Sequence, residues 1–264
     1  MSKINQMYLS KHVHQLYTMR NFYNLDEYNS DKEPTLFVGL YDDYDIQKWN
    51  NHKGFKVLLP CYPEYIGGVF NNGKINMDDL NLIVYDETWE WLAISNGIKK
   101  YKKVKLAWAD ISVCKPVPLG DKIYIHFGGH TEWEYKHFNK DFWLDKFGDE
   151  VIYLKKWTDY YDVVEDYYKK SYVQIMVSPL PLRGESTAQG MGLMGRKSLS
   201  PWPCLTPNYD LYGYWIPEDK LLQELNNKLD IERKKIGTIQ TELSQKCYDY
   251  FNFSDDWMYE DYWK

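Results

Sequence analysis

The sequence predicts an α/β chain built as two small lobes, each a parallel sheet covered by helices, followed by a helical C-terminal segment. Three observations carry that expectation. Short runs are apolar throughout rather than alternating, which marks strands buried on both faces, as in a parallel sheet. These runs alternate with stretches of helical period, the pattern of strand–helix–strand units. Midway, residues 113–121 (VCKPVPLGD) carry two prolines and a glycine and read as the link between lobes.

The first 34 residues are polar with scattered aromatics, close in a turn-like NSDKEP, and read as an N-terminal extension. Residues 35–40 (TLFVGL) form the first strand, bounded by Pro34 and by acidic residues. Residues 42–53 follow as a helix, with Asp42 or Asp43 near its start and Gly54 just past its end. Residues 55–59 (FKVLL) are the next strand, which Pro60 stops. Beyond a Gly/Asn loop come a strand at 80–85 (LNLIVY), a helix at 87–99 and a strand at 104–108, completing a lobe over 35–114.

The second lobe, 115–264, repeats the theme. Residues 122–127 (KIYIHF), 150–154 and 172–177 (YVQIMV) read as strands, and 132–147 and 160–169 as helices. A further helix runs from Ser186 to about Met194. Past Pro217, Leu222, Leu225, Leu229, Ile236, Ile239 and Leu243 keep helical spacing in a polar background and predict a core-facing segment. Both lobes are Rossmann-like, and such folds bind ligands at the carboxyl ends of their strands, in the crevice between lobes.

Composition narrows the function. The chain has 264 residues, a formal charge of −6 and 44% apolar residues, enough for a sizeable core in one or two domains. The acidic balance gives no global basic footprint for a phosphate backbone. No apolar stretch approaches the ~18 residues of a membrane span, and the start lacks a leader's apolar core. Cys61, Cys114, Cys204 and Cys247 form no CxxC pair, so neither a disulfide scaffold nor a zinc knuckle is expected. His126, His130 and His137 are not at metal-ligand spacing. A soluble, cytoplasmic protein is expected. Without GxSxG, a Walker loop or GxGxxG, hydrolase, NTPase and dehydrogenase readings lack support.

The strongest local signal is residues 178–200, SPLPLRGESTAQGMGLMGRKSLS. A strand ends, two prolines extend the loop, and Gly184 permits close backbone approach. Ser186 or Thr187 can cap a helix whose free N–H groups suit a pyrophosphate, with Arg183 beside it and Glu185 and Gln189 able to bond hydroxyls. The plain alternative is a strand–turn–helix packing element. At the end of residues 122–127, Gly128 and Gly129 allow close approach and His130 can donate to a departing phosphate, or the three form a surface turn. Asp43 and Asp45 form a DxD, which in single-domain transferases binds Mn²⁺ or Mg²⁺; its place in a first helical turn favours a helix-dipole role. The run KKYKKVK at 99–105 is the one dense basic patch, able to meet phosphate or nucleic acid, but it reads rather as a solvated helix end before a strand.

The strand–loop–helix with its GLMG ending resembles the donor-binding segment of two-lobed (GT-B type) glycosyltransferases of families 1 and 4. It is similar to short glycosyltransferase-like proteins of large DNA viruses and phages. Further matches are LFVGLY at 36–41, HKG at 52–54, KIYIHF at 122–127 and DDWMYEDYW at 255–263, so the likeness spans about 35–263. The resemblance implies a nucleotide-sugar donor on the second lobe, transfer with retention, and no metal cofactor. It implies donor contacts from Gly128, Gly129, Gly184, Glu185, Ser186, Thr187 and Gln189, with His130, Lys136 and Arg183 catalytic. It also implies an acceptor entering near Tyr41, Pro60 and Cys61, and a C-terminal tail packing back on the first lobe. The acceptor expected from the resemblance is a glycan, a protein or a hydroxymethylated DNA base. The family's ribose-holding Glu, five residues before the last Gly of the motif, corresponds here to Gly190, which leaves a degenerate, binding-only member as the alternative.

Overall fold

Every ladder between the named strands of the computed structural model is parallel. The structure describes residues 2–61, 73–85, 87–126, 140–154, 158–176, 185–200, 213–215, 221–250 and 255–264. Unit 1 comprises Met1–Leu106 with Phe253–Lys264, and unit 2 comprises Ala107–Asn252.

Unit 1 contains β1 (Gln6–Leu9), α1 (Tyr17–Phe22), β2 (Asp26–Glu27), β3 (Thr35–Val38), α2 (Asp43–Asn51), β4 (Lys56–Leu59), β5 (Leu82–Val84), α3 (Glu87–Ser95) and β6 (Tyr101–Lys103). Its sheet runs β2-β1-β3-β4-β5-β6. Leu36, Phe37 and Val38 pair with Val57, Leu58 and Leu59, and all six are fully buried, which is why the runs are apolar on both faces. Local chemistry delimits α2. The Asp42 carboxylate accepts from the Asp45 N–H at 2.9 Å at one end. At the other, the Lys56 ammonium donates to the carbonyls of Trp49 and His52 at 2.8 and 3.2 Å.

Residues 1–34 are not an extension. Within them β1 lies inside the sheet, paired with β2 and in full register with β3. Its polar start is satisfied rather than exposed: the buried Gln6 amide donates to Thr35 Oγ1 at 2.7 Å and accepts from the Asn29 N–H at 3.0 Å. The strand expected at 104–108 begins earlier, because β6 pairs Tyr101, Lys102 and Lys103 with Leu82, Ile83 and Val84.

Unit 2 contains β7 (Lys122–His126), α4 (Lys140–Phe147), β8 (Val151–Tyr153), α5 (Tyr160–Val163), β9 (Ser171–Met176), α6 (Glu185–Leu193), β10 (Lys197–Ser200), β11 (Gly213–Trp215), α7 (Leu221–Arg233) and α8 (Thr241–Tyr250). A π-helical turn, Val164–Tyr168, continues α5. The sheet runs β11-β10-β9-β7-β8. One core cluster joins Ile123, Ile125, Trp143, Val173, Ile175 and Leu199 to Leu225 and Leu229 of α7. The helical spacing past Leu229 does not continue inward. Ile236 and Ile239 are 40% and 50% exposed in the turn between α7 and α8, where Gly237 takes a φ of +80°.

The C-terminal tail belongs to unit 1, as the resemblance implies. Ile4 N–H donates to Met258 O at 2.8 Å, Glu260 N–H donates to Ser2 O at 3.0 Å, and Lys3 bridges Tyr259 in antiparallel fashion. Trp257, Met258 and Trp263 are buried by that return. Among the described residues no helix is long and apolar enough to cross a membrane.

Candidate functional site

Open parallel sheets bind ligands outside the carboxyl ends of the two strands where the winding reverses. In unit 1 that switch point lies between β1 and β3, since the chain winds outward to β2 on one side and to β4 on the other. The residues that follow these strands form one polar cluster. The Asp42 carboxylate takes Lys11 Nζ at 2.9 Å and His12 Nε2 at 3.5 Å on the same oxygen. The Lys11 ammonium, then the capping N–H of Asp45, holds the Asp42 carboxyl at about 2, so it is ionised at any physiological pH. The His12 ring meets Tyr41 edge-on at 5.6 Å.

Beneath this cluster the buried Asp45 carboxylate accepts from Tyr8 Oη at 2.6 Å, Ser10 Oγ at 2.7 Å and the Tyr41 N–H at 2.9 Å. It thereby ties the ends of β1 and β3 to α2. The DxD pair therefore serves the protein itself: Asp45 is buried in this network, and Asp43 is an exposed partner of Lys74. Pro60 and Cys61 follow β4, the neighbour of β3, so the three acceptor-side residues expected from sequence follow the carboxyl ends of two adjacent strands. Cys61 is buried, and burial pushes its thiol up to about 12, so it is no nucleophile. Lys11, His12 and Asp42 complete the cluster. Sequence reading missed them because β1 is only four residues long and its polar flanks mask the strand.

In unit 2 the switch point lies between β7 and β9. The segments that follow these two strands in sequence carry Gly128, Gly129, His130, Lys136, Arg183 and Gly184, all of which lie outside the described residues. Glu185 and Ser186 open α6, and nothing of their side chains is described. The last two donor candidates face inward. Thr187 is buried and hydrogen-bonds Tyr168. Gln189 is buried too, and its carbonyl oxygen accepts from the Trp108 and Ala109 N–H groups at 2.8 and 3.4 Å.

Gly190 explains the missing acid. A Cβ there would sit 3.0 Å from a ring carbon of Tyr168 and 3.4 Å from both Cys114 Sγ and Tyr160 Oη. The position is packed among buried aromatics, so a side chain there must push the Tyr168 ring aside. The GLMG ending has a local cause as well. Gly195, at φ +83°, lets its N–H reach Gly192 O and the Arg196 N–H reach Met191 O, a helix stop of the Schellman kind. Arg196 is fully buried and donates to four carbonyls, those of Ser171, Met194, Pro118 and Lys169. Among the described residues no group of three or more His, Cys, Asp or Glu is poised to hold a metal ion.

No protein-family model and no curated protein matches the sequence. Solved structures do match the fold. A glycosyltransferase from Rickettsia africae ESF-5 is similar over 94% of this chain and 79% of that one, at 13% identity and a TM-score of 0.54. HepE of Anabaena, solved in complex with UDP and glucose, is similar over 94% of this chain and 95% of that one, at 10% identity and a TM-score of 0.52. The fold class is thus the expected one, two Rossmann-like units of parallel sheet, and solved glycosyltransferase structures share it.

Proposed function

We propose that the chain transfers a sugar from a nucleotide diphosphate to a hydroxyl acceptor, with retention and without a metal. The observation that carries this reading is the topology of unit 2. The two strands flanking its switch point are those after which Gly128–Gly129–His130 and Arg183–Gly184–Glu185–Ser186 follow in sequence. Likeness of fold to a structure solved with UDP and glucose supports a uridine nucleotide as the first donor to try. In this reading Arg183 meets the diphosphate, His130 or Lys136 stabilises the charge that develops on the departing phosphate, and backbone N–H groups at the start of α6 complete the anion site. Ribose contacts fall to Glu185 or Ser186, since Thr187, Gln189 and Gly190 face the interior.

The acceptor, a glycan, a protein or a hydroxymethylated base, meets unit 1 near Tyr41. The His12–Asp42 pair favours a second stereochemical reading, inversion, in which His12 takes the acceptor's proton while ionised Asp42 steadies the imidazolium. A thermal-shift panel of UDP, GDP, ADP, CMP and their sugars, with Mn²⁺ and with EDTA, tests the donor site. A ligand at 100 times its Kd adds about 2.7 kcal/mol. We expect one nucleotide class to stabilise the protein equally in Mn²⁺ and EDTA, and Arg183→Ala to abolish the shift. Silence across the panel favours the binding-only alternative, and the anomeric configuration of a product, read by NMR, separates retention from inversion.

A further inference from the structure

We propose that α3 and the edge strand β6 of unit 1 form a docking surface for an anionic lipid bilayer. The inner face of α3 is ordinary: Trp89 and Ala93 are fully buried. Its outer face is not. Trp91 and Ile94, three residues apart and so on one side of the helix, are 64% and 60% exposed, the most exposed large apolar side chains among the described residues. A soluble surface gains nothing from a tryptophan held in water, whereas at a headgroup boundary the ring's apolar body and its N–H are both satisfied.

Charge complementarity selects the occupant. Four residues after the end of the helix, past the turn at Gly97, the run KKYKKVK begins, with five lysines between 99 and 105 and no acid, in a chain of net charge −6. Lys100 is exposed. Among the contacts of the neighbouring lysines, Lys99 lies 3.7 Å from Asp78, Lys103 2.5 Å from Glu90, and the Lys102 ammonium sits over the Tyr262 ring. Exposed pairs of this kind are weak, so lipid phosphates can compete for the ammonium groups. β6 is the sheet's edge, and among the described residues no further strand covers it. An apolar pair beside a cationic run is the two-signal arrangement that peripheral attachment needs. A nucleic-acid backbone offers the lysines the same phosphates but gives Ile94 nothing to bury against, so lipid is the better fit.

The test is co-sedimentation of the full chain with vesicles of phosphatidylcholine alone and of phosphatidylcholine with 30% phosphatidylglycerol, beside a labelled DNA duplex. We expect sedimentation with the anionic vesicles only, weakening as salt rises. The double variant Trp91→Ser with Ile94→Ser should reduce it at least tenfold, and Lys99→Gln with Lys100→Gln severalfold. The control Ile236→Ser with Ile239→Ser, an exposed apolar pair in unit 2, should leave it unchanged. Circular dichroism confirms that each surface variant is folded. No sedimentation with anionic vesicles, sedimentation that survives the Trp91/Ile94 change, or retention on DNA but not on vesicles each overturns the proposal.

Discussion

Two acidic residues separated by Tyr44, Asp43 and Asp45, behave oppositely because only one is desolvated. Asp45 is 1% exposed and accepts three hydrogen bonds, two from hydroxyls on β1 and the residue after it. Replacing it with Ala strands buried donors and removes charge-assisted bonds, so unfolding in urea should show a loss of about 3 kcal/mol or more. Asp43→Ala removes only an exposed pair with Lys74 and should leave the midpoint where it is. Equal losses from the two changes would sink the assignment. His52 supplies a pH test of the same unit. Burial, and then the Lys56 ammonium, lowers its pKa below the ordinary value near 6.5. The unfolded chain therefore takes up this proton before the folded one. Stability of unit 1 should fall as pH drops below about 6.5 and level off once the folded imidazole also titrates. Measured against wild type, His52→Asn should flatten that part of the stability–pH profile; an unchanged slope would place the linkage elsewhere.

At the scale of elements, α2 and α6 show what a sequence reveals and what it hides. The start of α2 was legible because its cap, acidic first turn and apolar spacing are all written within ten residues. The ending of α6 was legible too, but its meaning was not. GLMG resembles a donor-site signature, yet Gly195 is required by a helix stop, and Gly190 by the rings of Tyr168 and Tyr160, which lie more than twenty residues away in sequence. Packing partners that distant leave no trace in local spacing. The same holds for β1 and β10, four-residue strands whose Gln6 and Ser198 are buried only because Thr35 and Gln174 bond them. The register of α6 carries a prediction. Gly190→Glu forces a desolvated carboxylate among buried tyrosines and should cost several kcal/mol, with no gain in nucleotide affinity. Gly190→Ala should cost about 1 kcal/mol, crowding against Tyr168 partly offset by better helix propensity. A folded Gly190→Glu protein with tighter nucleotide binding would overturn this account of α6.

At the scale of the whole molecule, the link at 113–121 was read as the lobe boundary because proline and glycine stand out in sequence. The units in fact divide at 106/107. Gln189 holds the backbone of Trp108 and Ala109 within unit 2, a tie spanning some eighty residues that composition does not encode. The tail was legible for the opposite reason: two tryptophans and two tyrosines packed into ten residues need a surface to cover them. That surface is unit 1, so stability there depends on the chain's far end. Truncation after Ser254 removes Trp257, Met258 and Trp263 from burial and breaks the backbone bonds at Ser2 and Ile4. At about 1.5–3 kcal/mol for each buried side chain, the loss is on the order of 5 kcal/mol, comparable with the entire stability of a marginal domain. Calorimetry of the truncated chain should therefore show the transition of unit 1 displaced to much lower temperature or absent, while that of unit 2 keeps its midpoint. A synthetic peptide of residues 253–264 added in excess should restore the first transition by mass action. Coincident shifts of both transitions would mean that the tail's contribution is not confined to unit 1, and no shift at all would mean that the buried indoles contribute far less than their area implies.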